Sequence, residues 1–327
     1  MAGGAEEVTR LRRRPLLAAV VALAAVYVIW GSTYLAIAVA VESLPPLLLL
    51  SVRFLLAGGV LYAWSVRRGE RPGPRQWRAA FVVGGLLLFV DTGAVAWALQ
   101  RNLDTSLVAL LCATVPLWMV GLDAGLSGRR LSRATVAGIG IGLLGVALLV
   151  GPSAARLDLV AVAAVLGGAI AWAVGSLYAR RAPLPPRRDV SAGMEMLAAG
   201  VLLGIAAAVT GEGSDVHVPS VSALAAIGYL VVFGSLVAYT AYGWLLAHVP
   251  TKVVATHGYV NPVVAVALGC LLLGEPLTGT TLVAGALVVL SVVLIVGLPK
   301  RKRRLEPIPS TVRLPVPARS AFSRLAA

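Results

Sequence analysis

Runs of about twenty apolar residues, uninterrupted by charge, recur along this chain, and such a run fits one environment, the hydrocarbon core of a bilayer. There the backbone finds no water to bond, so each run must close its own hydrogen bonds as an α-helix. The first run extends from Pro15 to Val41, longer than the apolar core of a signal peptide, and is read as an uncleaved first helix. Hydrophobic residues make up 59% of the chain and charged residues 13%, about half the charged share of a soluble domain. A water-soluble fold is excluded.

The runs predict an all-α integral membrane protein with ten transmembrane helices. Five cover residues 16–39, 46–64, 78–99, 105–122 and 134–150, and five more cover 159–179, 191–210, 221–247, 251–273 and 281–298. The formal charge of +14 could suggest nucleic acid, but the basic residues sit in short clusters between apolar runs. Membrane topology accounts for them, and no nucleic-acid partner is expected. With the N-terminus in the cytoplasm, all 28 lysines and arginines except Arg53, Arg101 and Arg156 fall on the cytoplasmic side, as the positive-inside rule requires. An odd number of helices spoils that partition. The tail after residue 298 opens with Lys300 to Arg304 and continues through four prolines, a composition that cannot bury a core and suits loose binding to anionic lipid.

The halves echo each other at an offset of about 145 positions. Trp30-Gly31-Ser32-Thr33-Tyr34 in the first helix parallels Trp172 to Tyr178 in the sixth; Trp97-Ala98-Leu99 parallels Trp244-Leu245-Leu246; Pro116 parallels Pro262. Five helices per half force the second half to enter from the opposite side, giving two inverted five-helix repeats, the architecture of many secondary transporters. The expected organisation is a basic N-terminal tail over 1–15, one repeat over 16–150, a second over 151–298 and a basic, proline-rich disordered tail over 299–327. Aligning the loops before helices five and ten sets Arg129 opposite Glu275.

These residues carry a resemblance to the EamA family of the drug/metabolite transporter superfamily. The parts concerned are Trp30 to Tyr34, the stretch from Pro46 to Arg53-Phe54, Pro116, and Gly258-Tyr259-Val260-Asn261-Pro262 running to Leu273-Gly274-Glu275. The resemblance covers roughly residues 16–298 and implies a ten-helix carrier of the inner membrane, with a central cavity between its halves, exporting amino acids or other small metabolites. Members often carry a glutamate after both the fourth and the ninth helix; here Arg129 holds the first of these positions.

Ionisable groups inside a span are costly and invite a functional reading. Arg53, Asp91 and Glu195 are candidates for gating or coupling, and Arg53 and Asp91, at similar depth, are expected to form an ion pair. Glu195 and His257 are expected to share the inner part of a polar path. Tyr27, Trp30 and Tyr34 fall on one helix face, as do Ser235, Tyr239 and Tyr242, and His257 shares a face with Asn261 one turn from Pro262. These patterns make Trp30, Ser32, Tyr34, Tyr239, Tyr242, His257 and Asn261 candidate substrate-binding residues, with an aromatic packing seam as the structural alternative. The pairs Gly138/Gly142 and Gly200/Gly204 predict close helix packing.

Cys112 and Cys270 both lie in apolar runs, so neither a disulfide framework nor a cysteine metal site is expected, and no cofactor is called for. A GxxxxGK phosphate loop is absent, which leaves gradients to drive transport. The leading reading is a secondary-active or facilitative exporter of a small metabolite, working by alternating access as a monomer or homodimer. A proton-coupled multidrug exporter is the nearest alternative, and an intramembrane enzyme or receptor a remote one, since HExxH is missing. Reporter fusions at residues 70 and 215 should report opposite faces of the membrane, the first cytoplasmic; the same face for both contradicts the ten-helix count.

Overall fold

The computed structural model describes residues 2–128, 131–150, 158–215, 218–249, 251–254, 257–274 and 276–296. Arg129, Arg156, Glu275 and the tail beyond 296 lie outside them, and with them the Arg129 and Glu275 comparison and the tail assignment. Among the described residues the fold is helical throughout, without strands. The elements are α1 (Ala2–Val41), α2 (Pro46–Arg67), α3 (Pro74–Gln100), α4 (Thr105–Leu126), α5 (Arg133–Val150), α6 (Leu159–Ala179), α7 (Arg188–Thr210), α8 (Val221–His248), α9 (His257–Leu272) and α10 (Gly279–Val296). Seven of these, all but α5, α9 and α10, are long and apolar enough to cross a bilayer, and those three contain shorter apolar helices.

Local chemistry sets the ends. Pro46 and Pro74 occupy first helical positions, where a missing N–H costs nothing. Asp158 caps α6 by accepting from the N–H groups of Val160 and Ala161, at 3.0 and 3.1 Å, and the Ser220 hydroxyl caps α8 by accepting from Ala223. Gly128 and Gly211 end α4 and α7 in the left-handed conformation.

Two helices depart from a plain α-helix. In α3 the segment Gly85–Asp91 is π-helical, and in α8 so is Leu230–Tyr239. Each π segment adds a residue to the local turn, a local feature frequent at functional sites. α4 is also interrupted, between Cys112 and Val115, just before Pro116; in the region expected as one helix over 251–273, Thr251–Val254 and His257–Leu272 are helical, with Pro262 inside the latter. Proline removes a hydrogen bond and crowds the preceding turn, which accounts for the interruption before Pro116.

Helix pairing is orderly. α2 packs on α7 and α5 on α10; α1 packs on α9 and α8, while α6 packs on α4 and α3. Glycines allow the closest crossings. A Cβ on Gly58 of α2 would stand 2.8 Å from the Leu197 nitrogen of α7, and one on Gly193 of α7 2.9 Å from the Tyr62 nitrogen of α2. Gly84 of α3 lies directly on the Glu195 carbonyl, where any Cβ would overlap it. Of the glycines singled out by spacing, Gly142 meets Ser291 of α10, and Gly200 and Gly204 meet Leu55 and Ser51 of α2. Large apolar side chains such as Val20, Val60, Ile205 and Leu271 are exposed on the outside, an arrangement suited to lipid rather than water.

Polar contacts tie the loops into two rims. At one rim Ser43 meets Ser220, Glu212 accepts from the N–H groups of Leu47 and Leu48 at 2.9 and 3.0 Å, and Arg101 is ion-paired with Asp158. That hydrogen bond from Arg101 holds the Asp158 carboxyl below the usual carboxylate range. At the other rim Arg187 bridges Asp189 at 2.7 Å and Glu70 at 3.6 Å.

Because Gly84 has no room for a side chain, Gly84→Val should cost at least about 1–3 kcal/mol through overpacking and lower the yield of monodisperse protein in size-exclusion chromatography. Gly59, one helix face away on α2 and with nothing within 4 Å of its Cβ position, should accept alanine without loss.

Candidate functional site

The site begins with the π segment of α8. Its Gly234 carbonyl accepts a hydrogen bond from Trp30 Nε1 of α1 at 3.2 Å, and its Ser235 hydroxyl accepts one from Arg53 Nε of α2 at 2.9 Å. The Arg53 guanidinium also lies 4.8 Å from the Phe54 ring centroid and packs so closely on Gly234 that a Cβ there would stand 2.9 Å from its terminal nitrogen. Three helices are thus joined around one buried cation. At the other π segment, that of α3, Asp91 is the last residue and packs against Gly168 of α6.

These groups enclose a central cavity of about 100 Å³. Its wall includes Trp30 and Tyr34 from α1, Arg53 from α2, Asp91 from α3, Ser235 and Tyr239 from α8, and His257 and Asn261 from α9. Aromatic rings cluster around Trp30 beside it: Trp30 meets Trp172 edge-on at 5.5 Å between centroids, Tyr242 at 4.9 Å and His257 at 5.5 Å. Asn261 donates from its amide nitrogen to the carbonyl oxygens of His257 and Tyr27, both at 3.2 Å, and so ties α9 to α1 beside Pro262.

Four of the sequence expectations need adjustment. Among the described residues no ion pair joins Arg53 to Asp91; the nearest polar partner of the guanidinium is Ser235, and both charges face the cavity instead of each other. Depth along a helix can be read from sequence, but azimuth cannot. Ser32 lies outside the cavity wall, bonded to the Val28 and Ile29 carbonyls and, at 2.6 Å, to the Tyr229 hydroxyl; its neighbour Thr33 takes the cavity-facing position. Tyr242 and Glu195 line a second, inner cavity of about 320 Å³ together with Arg180, Arg188 and Ser191. Glu195 and His257 therefore occupy different cavities.

Residues not singled out also contribute. Trp172, Thr33, Phe54 and Cys112 line the central cavity. The equivalence of Trp172 with Trp30 in the repeated motif was the signal for the first, and the two tryptophans do meet. Among the described residues no cluster of His, Cys, Asp and Glu is arranged to hold a metal ion.

The profile of the EamA-like transporter family matches this chain twice, over residues 17–151 and 159–297. The chain is 41% identical over 286 residues to the uncharacterized inner membrane transporter YedA of Escherichia coli strain K12, covering 87% of this chain and 92% of that protein. It is 26% identical to a probable amino-acid metabolite efflux pump of Salmonella typhimurium strain LT2, covering 81% and 90%. A protein of known crystal structure shares the fold, with a TM-score of 0.62 and 24% identity over 84% of this chain and 95% of that one. Two family matches that together span nearly all the apolar helices, on a fold built around a polar central cavity, identify the chain as a multi-pass inner-membrane transporter belonging to the EamA-like family of the drug/metabolite transporter superfamily.

Proposed function

We propose that the protein exports a small dipolar metabolite, of the amino-acid kind, by alternating access, with the central cavity as its substrate site. The observation that carries this reading is the separate placement of one guanidinium, Arg53, and one carboxyl, Asp91, in the wall of the same buried cavity. Charges in an apolar interior are costly unless compensated. A ligand bearing both a carboxylate and an ammonium supplies an opposite charge to each, and charge-assisted hydrogen bonds from a guanidinium to a carboxylate are among the strongest available. Trp30, Tyr34 and Tyr239 offer rings to the rest of the ligand. A cavity of about 100 Å³ favours a small metabolite over a drug, whose sites run to about 300–1,000 Å³. The efflux-pump name of the Salmonella relative points the same way.

Ten spans in two inverted halves suit the observed pairing. Exchanging each helix for the one five places later turns α1·α9 into α6·α4 and α1·α8 into α6·α3, and leaves α2·α7 and α5·α10 unchanged. The π segments of α3 and α8 are related by the same exchange. In this reading α5, α9 and α10 span the bilayer with the other seven, the first repeat covers 16–150 and the second 151–298, and the two halves rock about the cavity. The rim that joins Glu70 to Arg187 is cytoplasmic, as are both termini, because the basic clusters gather on that side. The carrier acts as a monomer or homodimer and needs no nucleic acid.

Efflux of amino acids from overproducing cells, measured in the medium, tests the reading. Trp30→Ala, Tyr34→Ala and Tyr239→Ala should each reduce efflux while the protein level holds, and activity surviving in all three supports a packing seam instead. Asp91→Asn and Arg53→Gln should each lower efflux by roughly tenfold or more, the loss of a charge-assisted contact, and the double variant should be no better than the single ones. Rescue in the double variant would mean that the two side chains serve each other and not a ligand.

A further inference from the structure

The central and inner cavities meet at one side chain. Tyr239 belongs to the wall of both, and among the described residues no other lining residue does. Its ring stands 6.5 Å from Trp30 on the central side, and its hydroxyl donates a 2.6 Å hydrogen bond to Glu195 Oε2 on the inner side. Both residues are buried. Beside them the Tyr242 hydroxyl accepts from Trp172 Nε1 at 3.2 Å and shares a hydrogen bond with Ser176, which steadies the neighbouring ring.

Glu195 is well placed to hold that bond. The tight crossing at Gly84 fixes its backbone, and among the described residues it is the one carboxyl in the wall of the inner cavity. The groups that line the cavity with it are Tyr239 and Tyr242 from α8, Arg188 from its own helix and Arg180 from the end of α6; among the described residues α3 presents Val83, Gly84 and Leu87 on that side, and α2 meets the neighbouring turn of α7 at Gly193 through Gly58, Leu61 and Tyr62. A cavity of about 320 Å³ has room for the water through which a proton would arrive.

We propose that Glu195 is a proton-binding site whose occupancy opens the passage at Tyr239 between the inner and central cavities. As a carboxylate, Glu195 accepts a charge-assisted hydrogen bond that holds the Tyr239 ring across the passage. Uptake of one proton makes it a neutral carboxylic acid, and a neutral hydrogen bond is about half as strong. Tyr239 is then free to turn aside; loss of the proton to the inner cavity restores the latch, with no other bond made or broken. The proposal rests on the central cavity being the substrate site for its use in transport.

A native thiol makes the passage measurable, because Cys112 lines the central cavity. With Cys270→Ala removing the other cysteine, sealed vesicles exposing the rim that carries Glu70 and Arg187 are treated with a small, charged, impermeant methanethiosulfonate, and the rate of Cys112 modification is followed by mass spectrometry. The thiolate that reacts becomes about tenfold scarcer for each pH unit lost, about a hundredfold between about pH 8 and about pH 6; corrected for that factor, the rate should rise roughly tenfold over the interval, as expected from weakening one charge-assisted bond. Glu195→Gln and Tyr239→Phe should each give a corrected rate that is high and the same at both pH values. A corrected rate in the Cys270→Ala protein that stays level or falls as pH is lowered overturns the proposal, as do variants that keep its profile. Since the pH profile requires no change at Glu195, a misfolded variant leaves the test standing. Metabolite efflux is scored separately, so pH-gated labelling without efflux removes the carrier reading alone.

Discussion

A guanidinium buried in an apolar bundle needs hydrogen-bond partners that a bilayer cannot supply, and Arg53 is the group on which the centre of this structure depends. Its partner is the Ser235 hydroxyl, presented by a π-helical turn of α8. The same turn exposes the Gly234 carbonyl to Trp30 and lacks a side chain at Gly234, which lets the guanidinium lie flat against the backbone. Trp30 in turn anchors the aromatic floor through Trp172, Tyr242 and His257. One buried cation therefore links α1, α2 and α8 and fixes where the cavity can form.

The two cavities differ in what they can bind. The central one is narrow and combines a single cation, a single carboxyl and several rings. The inner one is roomier and more basic, with Arg180 and Arg188 in its wall. A path from a wide basic vestibule to a narrow charge-balanced site suits a ligand that is collected at one face and recognised deeper in, with Tyr239 between the two.

Much of this could be read from the sequence, for physical reasons. Apolar runs in a bilayer have one backbone solution, so the helices and the rims they connect follow from hydropathy and charge alone. Mid-span polar residues also announce themselves, and Arg53, Asp91, His257 and Asn261 all reach the central cavity. What could not be read is rotation. Ser235, Tyr239 and Tyr242 share one face in a regular α-helix, but the wider π turn shifts the register after it, and Tyr242 turns to the inner cavity. Nothing in an apolar stretch such as Leu230 to Tyr239 distinguishes a π turn from an α turn. Ser32 missed the cavity by a single position, which on a helix is about 100° of rotation. Arg53 and Asp91, expected to pair, come from α2 and α3 and line the same cavity without an ion pair between them.

The claim that the central cavity recognises a dipolar ligand is tested most directly by binding to the purified protein in lipid nanodiscs. Thermal stabilisation would be measured across matched sets of amino acids, the corresponding amines and the corresponding carboxylic acids, with the wild type and with Arg53→Gln and Asp91→Asn. The account predicts stabilisation of the wild type by one or more amino acids, with the matching amine and acid far weaker, and its loss in both variants. Equal stabilisation by the amine or the acid alone, or stabilisation by amino acids that persists in both variants, would contradict it.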